Sequence, residues 1–294
     1  MPRRAALAAM IVLTTLARGQ TPPQQTTPAQ QPATAQPTPG GRAPVRAKTQ
    51  EEYQAYQSAV NSPTADAMEK AANDFATKFA DSELRVLLYR AVMRSYQKEG
   101  QAQKMLDAGL KVLSVDKDDP EALIGVAEVQ EEHTSPTDLD RAQRMDQAVA
   151  NAEHALQTID SDLTVPAGVP PDKVEAYKKY LRATAFAIVG TIQYKREQYP
   201  EAETTLRKAI DADTNNPDPV VILRLALALD QEKNYADALK QAQRAVELTQ
   251  EDSEVGKMAR TERDRLVIQT GGSNSPGTAT SPANAPQNPA PPPR

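Results

Sequence analysis

The feature that most constrains this 294-residue chain is a helical period of apolar residues, punctuated by turn signals roughly every 35 residues. Asp118, Asp119 and Pro120 close one amphipathic segment and open the next, and Asn215, Asn216, Pro217 and Asp218 do the same about a hundred residues later. Between them, Leu84, Leu87, Leu88, Ala91 and Val92 follow i, i+3, i+4 spacing, as do Ala202, Leu206, Ala209 and Ile210. That spacing lines up apolar side chains on one side of a helix. Ala is frequent, which favours helix and lets neighbouring helices approach closely, and the alternation that marks strands is absent. The expected fold class is all-α.

Composition locates the folded part. Of the 24 prolines, 15 lie before residue 47 or after residue 269, whereas all 12 aromatics fall between Tyr53 and Tyr235. A folded region of residues 49–269 follows. The formal net charge of -5 blends unlike regions, because Arg3, Arg4, Arg18, Arg42, Arg46 and Arg294 lie at the ends. Taking those six from the 34 basic residues leaves 28 against 39 acidic ones, or -11. An acidic region of this kind argues against nucleic acid as a partner, since binding phosphates requires concentrated basic surface. The absence of Cys excludes disulfides, thiolate nucleophiles and Cys-ligated metals, and only His133 and His154 are present for imidazole chemistry.

The two ends have their own signatures. Met1, Pro2, Arg3 and Arg4 form a short basic stretch, followed by the uncharged, mostly apolar run from Ala5 to Ala17. Ala17 and Gly19 suit a signal peptidase, so residues 1–19 read as a secretory signal peptide that leaves Gln20 as the new N-terminus. The run is shorter than the roughly 20 apolar residues that a membrane span requires, and no later stretch approaches that length without charge. Residues 20–48 are rich in Pro, Gln and Thr, and residues 270–294 are again Pro-rich. Neither segment can bury enough apolar surface to offset its ordering entropy, so both are expected to be disordered. The expected localisation is exported, periplasmic or secreted.

Within 49–269, the residues resemble the tetratricopeptide repeat (TPR), a helix–turn–helix unit of about 34 residues. Tyr199, Ala202, Leu206 and Ala209 match the second helix of such a unit, with Gly190 at the small-residue position of the first. Tyr235, Ala238, Ala242 and Ala245 make a second copy, paired with Ala226. Tyr96 and Gly100, closing at Pro120, make a third that departs by Met105 and Val112 where small residues are usual. Leu123 and Ala127, resuming at Ala148, Ala152 and Ala155, make a fourth with extra residues around Glu132 to Asp140. The resemblance implies a right-handed α-solenoid of antiparallel helix pairs, with repeats at about 82–118, 119–161, 172–216 and 217–251. A helical pair at 51–80 precedes them and a capping helix at 253–269 follows. The helix from Lys173 to Glu197 is about three turns longer than the unit requires.

No residue pattern reads as an active site. There is no HExxH, GxSxG or phosphate-cradling glycine loop, and catalytic residues, metal ligands and cofactors are all expected to be none. What remains is the groove that the first helix of each unit, helix A, lines in this family. Carried onto this chain, its positions are Leu87, Arg90, Arg94, Gln97 and Lys98 in the first unit and Glu121, Ile124, Glu128, Glu131 and Glu132 in the second. They are Thr184, Ala187, Thr191, Tyr194 and Lys195 in the third, and Val220, Leu223, Leu227, Asp230 and Gln231 in the fourth. Arg90, Arg94 and Lys98 share one helical face. Either those charges pair internally with the acidic stripe of the next helix, or they line a polar groove that holds a peptide. Val220, Leu223 and Leu227 either floor that groove or lie under the C-terminal helix. The Lys and Asn pattern by which some family members clamp chaperone tails is not reproduced by Arg90 and Arg94.

The expected function is a non-catalytic protein–protein interaction scaffold or adaptor in the bacterial cell envelope. Its partner would be a protein or peptide, contacted through Arg90, Arg94, Lys98, Tyr194, Lys195, Val220, Leu223 and Leu227. The alternatives are a substrate-binding or accessory subunit of a cell-wall or polymer-processing complex, and a self-assembling structural protein.

Overall fold

The computed structural model describes residues 42, 45–165 and 168–271. The expected signal peptide, nearly all of the Pro-rich linker and the tail from residue 272 lie outside the described residues. The described residues form eleven helices and no strand. In order they are α1 (Gln50–Val60), α2 (Ala65–Lys78), α3 (Leu84–Lys98), α4 (Ala102–Val115), α5 (Pro120–Glu132) and α6 (Arg141–Thr158). Then come α7 (Pro171–Lys195), α8 (Tyr199–Ala212), α9 (Pro219–Gln231), α10 (Tyr235–Glu247) and α11 (Glu254–Gln269).

Local chemistry sets the boundaries. Asp119 and Asp218 are N-caps whose carboxylates accept from the Ala122 and Val220 amides, each followed by a Pro whose missing N–H costs the first turn nothing. Thr49 and Glu52 form a reciprocal capping box on α1. The turns α3–α4, α7–α8 and α9–α10 are the same turn made three times. In each a residue at positive φ (Gly100 at 69°, Glu197 at 61°, Lys233 at 62°) reverses the chain. The next amide donates back to the carbonyl five residues earlier: Gln101 to Tyr96, Gln198 to Gln193 and Asn234 to Leu229, at 2.9 to 3.0 Å. Two of the three turns hold a non-glycine residue in the left-handed region. The α5–α6 connection is the exception, a turn over His133 to Asp140 in which Asp138 accepts from the Ser135 amide.

Helices joined by such short turns run antiparallel, and each packs on the next in sequence: α3 with α4, α5 with α6, α7 with α8, α9 with α10. The small residues of the repeat pattern sit where helices approach. Ala127, Ala148, Ala152, Ala155, Ala202, Ala226, Ala238, Ala242 and Ala245 are fully buried. A Cβ on Gly190 would lie 2.8 Å from Leu206 Cγ, so only glycine admits that contact between α7 and α8. Met105 and Val112, the larger residues of the irregular copy, are also core.

The chain divides into two compact units, one through Asn216 (α1–α8) and one from Pro217 (α9–α11). The break falls at a turn signal already visible in the sequence. In the first unit, one core gathers Phe75, Leu88, Val92, Tyr96 and Val112, and another gathers Leu123, Ile159, Leu163, Leu181, Ile188 and Ile192. In the second, Ile222, Leu225, Leu229 and Leu239 are buried, and α11 packs on α9 and α10 through Ala259 and Leu266.

Candidate partner-binding surfaces

In the first unit, α3, α5 and α7 are the helix A elements. Arg90 is 2% exposed and donates to the Thr164 carbonyl at 2.7 Å. Its guanidinium also faces Glu121 at 3.4 Å and Asp119 at 3.5 Å. Arg94 makes a bidentate pair with Glu121, the fork geometry that suits guanidinium and carboxylate. Arg90 and Arg94 of the α3 stripe are therefore paired internally, with Glu121 and Asp119 as the partners, and Gln97 donates to Glu128.

This cluster is roofed by α7. Tyr177 is half-buried as a residue, but its hydroxyl is enclosed beside Glu121 and Arg94. Tyr180, Leu181 and Thr184 close over Ile124 and Glu128 around a cavity of only about 20 Å³. Burial, and then the neighbouring Glu121 charge, pushes the Tyr177 phenol well up. Burial raises the Asp119 carboxyl although Arg90 opposes it. Burial would raise Glu121 as well, but the Arg94 and Arg90 charges outweigh it and hold that carboxyl below its ordinary value. Arg90 Nε is buried here without a hydrogen-bond partner, whereas Asp119 Oδ2 faces the Arg90 guanidinium and the Tyr177 hydroxyl lies against Glu121 and Arg94.

The remaining first-unit candidates lie apart from this cluster. Lys98 is exposed at the end of α3. Lys195 is tied to α5, its ammonium 2.8 Å from the Glu131 carboxylate and 2.7 Å from the Glu131 carbonyl. Tyr194 is half-buried and packs edge-on against Tyr199, with ring centroids 5.6 Å apart. The five first-unit candidates thus do not form one continuous face of exposed side chains.

Sequence reading missed Tyr177, Asp119 and Thr164. A signal for Tyr177 was present: Val174, Tyr177, Lys178 and Leu181 follow i, i+3, i+4, i+7 along the extra turns of α7. Val174, Lys178 and Leu181 are buried and Tyr177 is half-buried. A helix extension with such a stripe has to pack on something.

The second unit is different in kind. Val220 and Leu227 are half-buried and Leu223 is 4% exposed. Leu223 and Leu227 face Lys257, Met258, Thr261 and Glu262 of α11 across an open cleft of about 310 Å³. Met258 remains 41% exposed at its edge. Arg265 ties α11 to α9, 2.5 Å from Asp230, and lies 2.8 Å from Glu262. The C-terminal helix therefore lies along the apolar stripe without filling it.

Among the described residues no group of three or more His, Asp or Glu is placed to hold a metal ion. No described helix is long and apolar enough to cross a membrane. His133 is exposed, and His154 lies 2.9 Å from an Asp118 carboxylate oxygen.

No protein-family model matches the chain, and no curated protein matches it. Among solved structures it is similar to a thermophilic TPR protein of Thermus thermophilus, at 14% identity over 74% of this chain and 99% of that one, with a TM-score of 0.45. It is also similar to BtubC from P. vanneervenii, at 16% identity over 82% and 100% of the two chains, with a TM-score of 0.43. A tetratricopeptide repeat protein from Parabacteroides merdae matches at 12% identity over 76% and 88%, with a TM-score of 0.38. The chain's own helix pairs, with their repeated turns, make it an all-α protein of TPR-like helical repeats.

Proposed function

We propose that this protein is a non-catalytic interaction scaffold that holds a short segment of a partner protein in the cleft between α9 and α11. The observation that carries this reading is the cleft itself. Its floor is Leu223 and Leu227, its edge is Met258, and its rim holds Lys257, which has no ion pair among the described residues. The volume of about 310 Å³ suits a few apolar side chains rather than a folded domain. An occupant that combines an apolar anchor with a neighbouring carboxylate would match both floor and rim. The leader-like residues 1–19 support an exported, envelope-located form of the protein.

Peptides selected by display against the full chain test the cleft. Leu227→Asp should abolish their binding, while Lys257→Glu should weaken the acidic ones selectively. Selected peptides that bind folded Leu227→Asp as tightly as the parent would refute the assignment. Export is tested separately by fractionation and N-terminal sequencing, where a cytosolic product that retains Met1 contradicts it.

A further inference from the structure

We propose that the occupant of the α9–α11 cleft is Leu139 of a second copy of this chain, presented on the α5–α6 turn with Asp138 and Asp140 beside it. The inference rests on the reading of the cleft as a binding site and names its partner. The turn is the first argument. The α3–α4, α7–α8 and α9–α10 connections take residues 99–101, 196–198 and 232–234, whereas the α5–α6 connection takes residues 133–140. Its added length does not bury Leu139, which is 106% exposed; the other exposed large apolar side chains among the described residues reach 41 to 81%. A single apolar residue on a surface is ordinary, and this one is set apart by how firmly it is held out. Asp138 accepts from the Ser135 amide at 2.9 Å, and its own amide donates to the Ser135 carbonyl at 3.2 Å. The Arg141 amide donates to the Asp138 carbonyl at 3.2 Å, and the Thr134 hydroxyl donates to the Gln130 carbonyl. Arg144 lies 2.8 Å from the Asp140 carboxylate and 3.7 Å from that of Asp138. A turn fixed in this way loses little freedom when its tip is bound, which lowers the cost of association.

The second argument is complementarity. The cleft offers Leu223 and Leu227 as its floor, Met258 at its edge and Lys257 at its rim, and its volume of about 310 Å³ takes a leucine with the turn backbone beside it. The hydrogen bonds and ion pairs of Asp138 and Asp140 run through Oδ2, and Oδ1 of each has none among the described residues. Lys257 likewise has no ion pair among them. An apolar knob flanked by carboxylates therefore matches an apolar floor flanked by an ammonium, and one chain carries both. Every copy has one knob and one cleft, so the contact is either returned within a closed pair or passed from copy to copy.

Sedimentation of the full chain over a wide concentration range tests this. The parent should self-associate. Leu139→Asp and, separately, Met258→Asp should each weaken association by about tenfold or more. Both positions are exposed, so circular dichroism should show the parent fold in each variant. Mixed together, the two variants should form a complex that neither forms alone, because one keeps the cleft and the other keeps the knob. A parent that stays monomeric at every concentration would overturn the proposal. So would association that survives either variant, or a mixture of the two that remains monomeric. The cleft itself is judged apart: a monomeric parent that binds display-selected peptides, and loses them on Leu227→Asp, keeps the cleft and overturns only this occupant.

Discussion

The same repeat positions, taken in the two units, give opposite surfaces. On α3 and α5 they place Arg90, Arg94 and Glu121 in a charged cluster that other parts of the same chain cover. On α9 they place Leu223 and Leu227 in an apolar cleft that α11 leaves partly open. The charged residues, which look like binding groups, are paired within the chain, while Leu227, which looks like core, stays half-buried beside an open cleft. Repeat register therefore decides the direction in which a side chain points. It does not decide whether an extension or a cap arrives to meet it.

The largest expected effect lies in the sequestered cluster. Arg90→Met leaves the fully buried Asp119 without its cation and should destabilise the first unit by about 3–5 kcal/mol, read from urea unfolding of the full chain. Adding Asp119→Asn, which keeps an N-cap, should restore most of the loss. A loss below about 1 kcal/mol for Arg90→Met alone would show that the cluster is effectively solvated and erase the contrast between the units.

Gly190→Ala probes the shared framework instead. Its Cβ would fall 2.8 Å from Leu206 Cγ, close to the Leu206 backbone amide at 3.2 Å, and should cost about 1–3 kcal/mol in the same measurement. The turns come next, with a gain rather than a loss. Glu197→Gly in the first unit and Lys233→Gly in the second both relieve a left-handed non-glycine residue, and each should raise stability by up to about 1 kcal/mol. Unequal gains would mean that the two turns, alike in hydrogen bonding, differ in strain.

The smallest effect is electrostatic. The Glu69 carboxyl is held below its ordinary value of 4.5, first by the hydrogen bond from Lys111 and then by that from Tyr96. A depressed carboxylate contributes stability that is complete above about pH 4.5 and is lost as pH falls through its folded value. Lys111→Met should therefore cost less than about 1 kcal/mol at pH 7, because the pair is partly exposed. The cost should fade in thermal melts taken below pH 4.5. A cost that stays constant with pH would place it in packing of the lysine stem over the Tyr89 ring.

Much of the architecture was legible because it is local. Asp-Pro and Asn-Pro signals, the spacing of Ala, and Gly190 at a small-residue position each express the chemistry of one helix or one helix pair. The internal pairing of the Arg90 stripe was one of two open readings, and it is realised for Arg90 and Arg94, with Glu121 and Asp119 as the partners, while the exposed Lys98 stands apart. Tyr177 and Thr164 escaped notice because their contacts span about 83 and 74 residues of sequence, beyond any periodic pattern. Lys98 and Lys195 looked equivalent in the sequence, yet one is exposed and the other is held by Glu131 at the end of α5.

The sequence by itself determined the helical class, the period of the repeats, the turn positions and the lack of any pattern for metal or nucleophilic chemistry. Those properties follow from backbone propensity and from which side of a helix each residue occupies. Only the tertiary structure decided that the first half of α7 lies over the α3–α5 charges and that α11 leaves Leu227 reachable. Burial is a property of two surfaces that meet, and the second surface here comes from residues far along the chain.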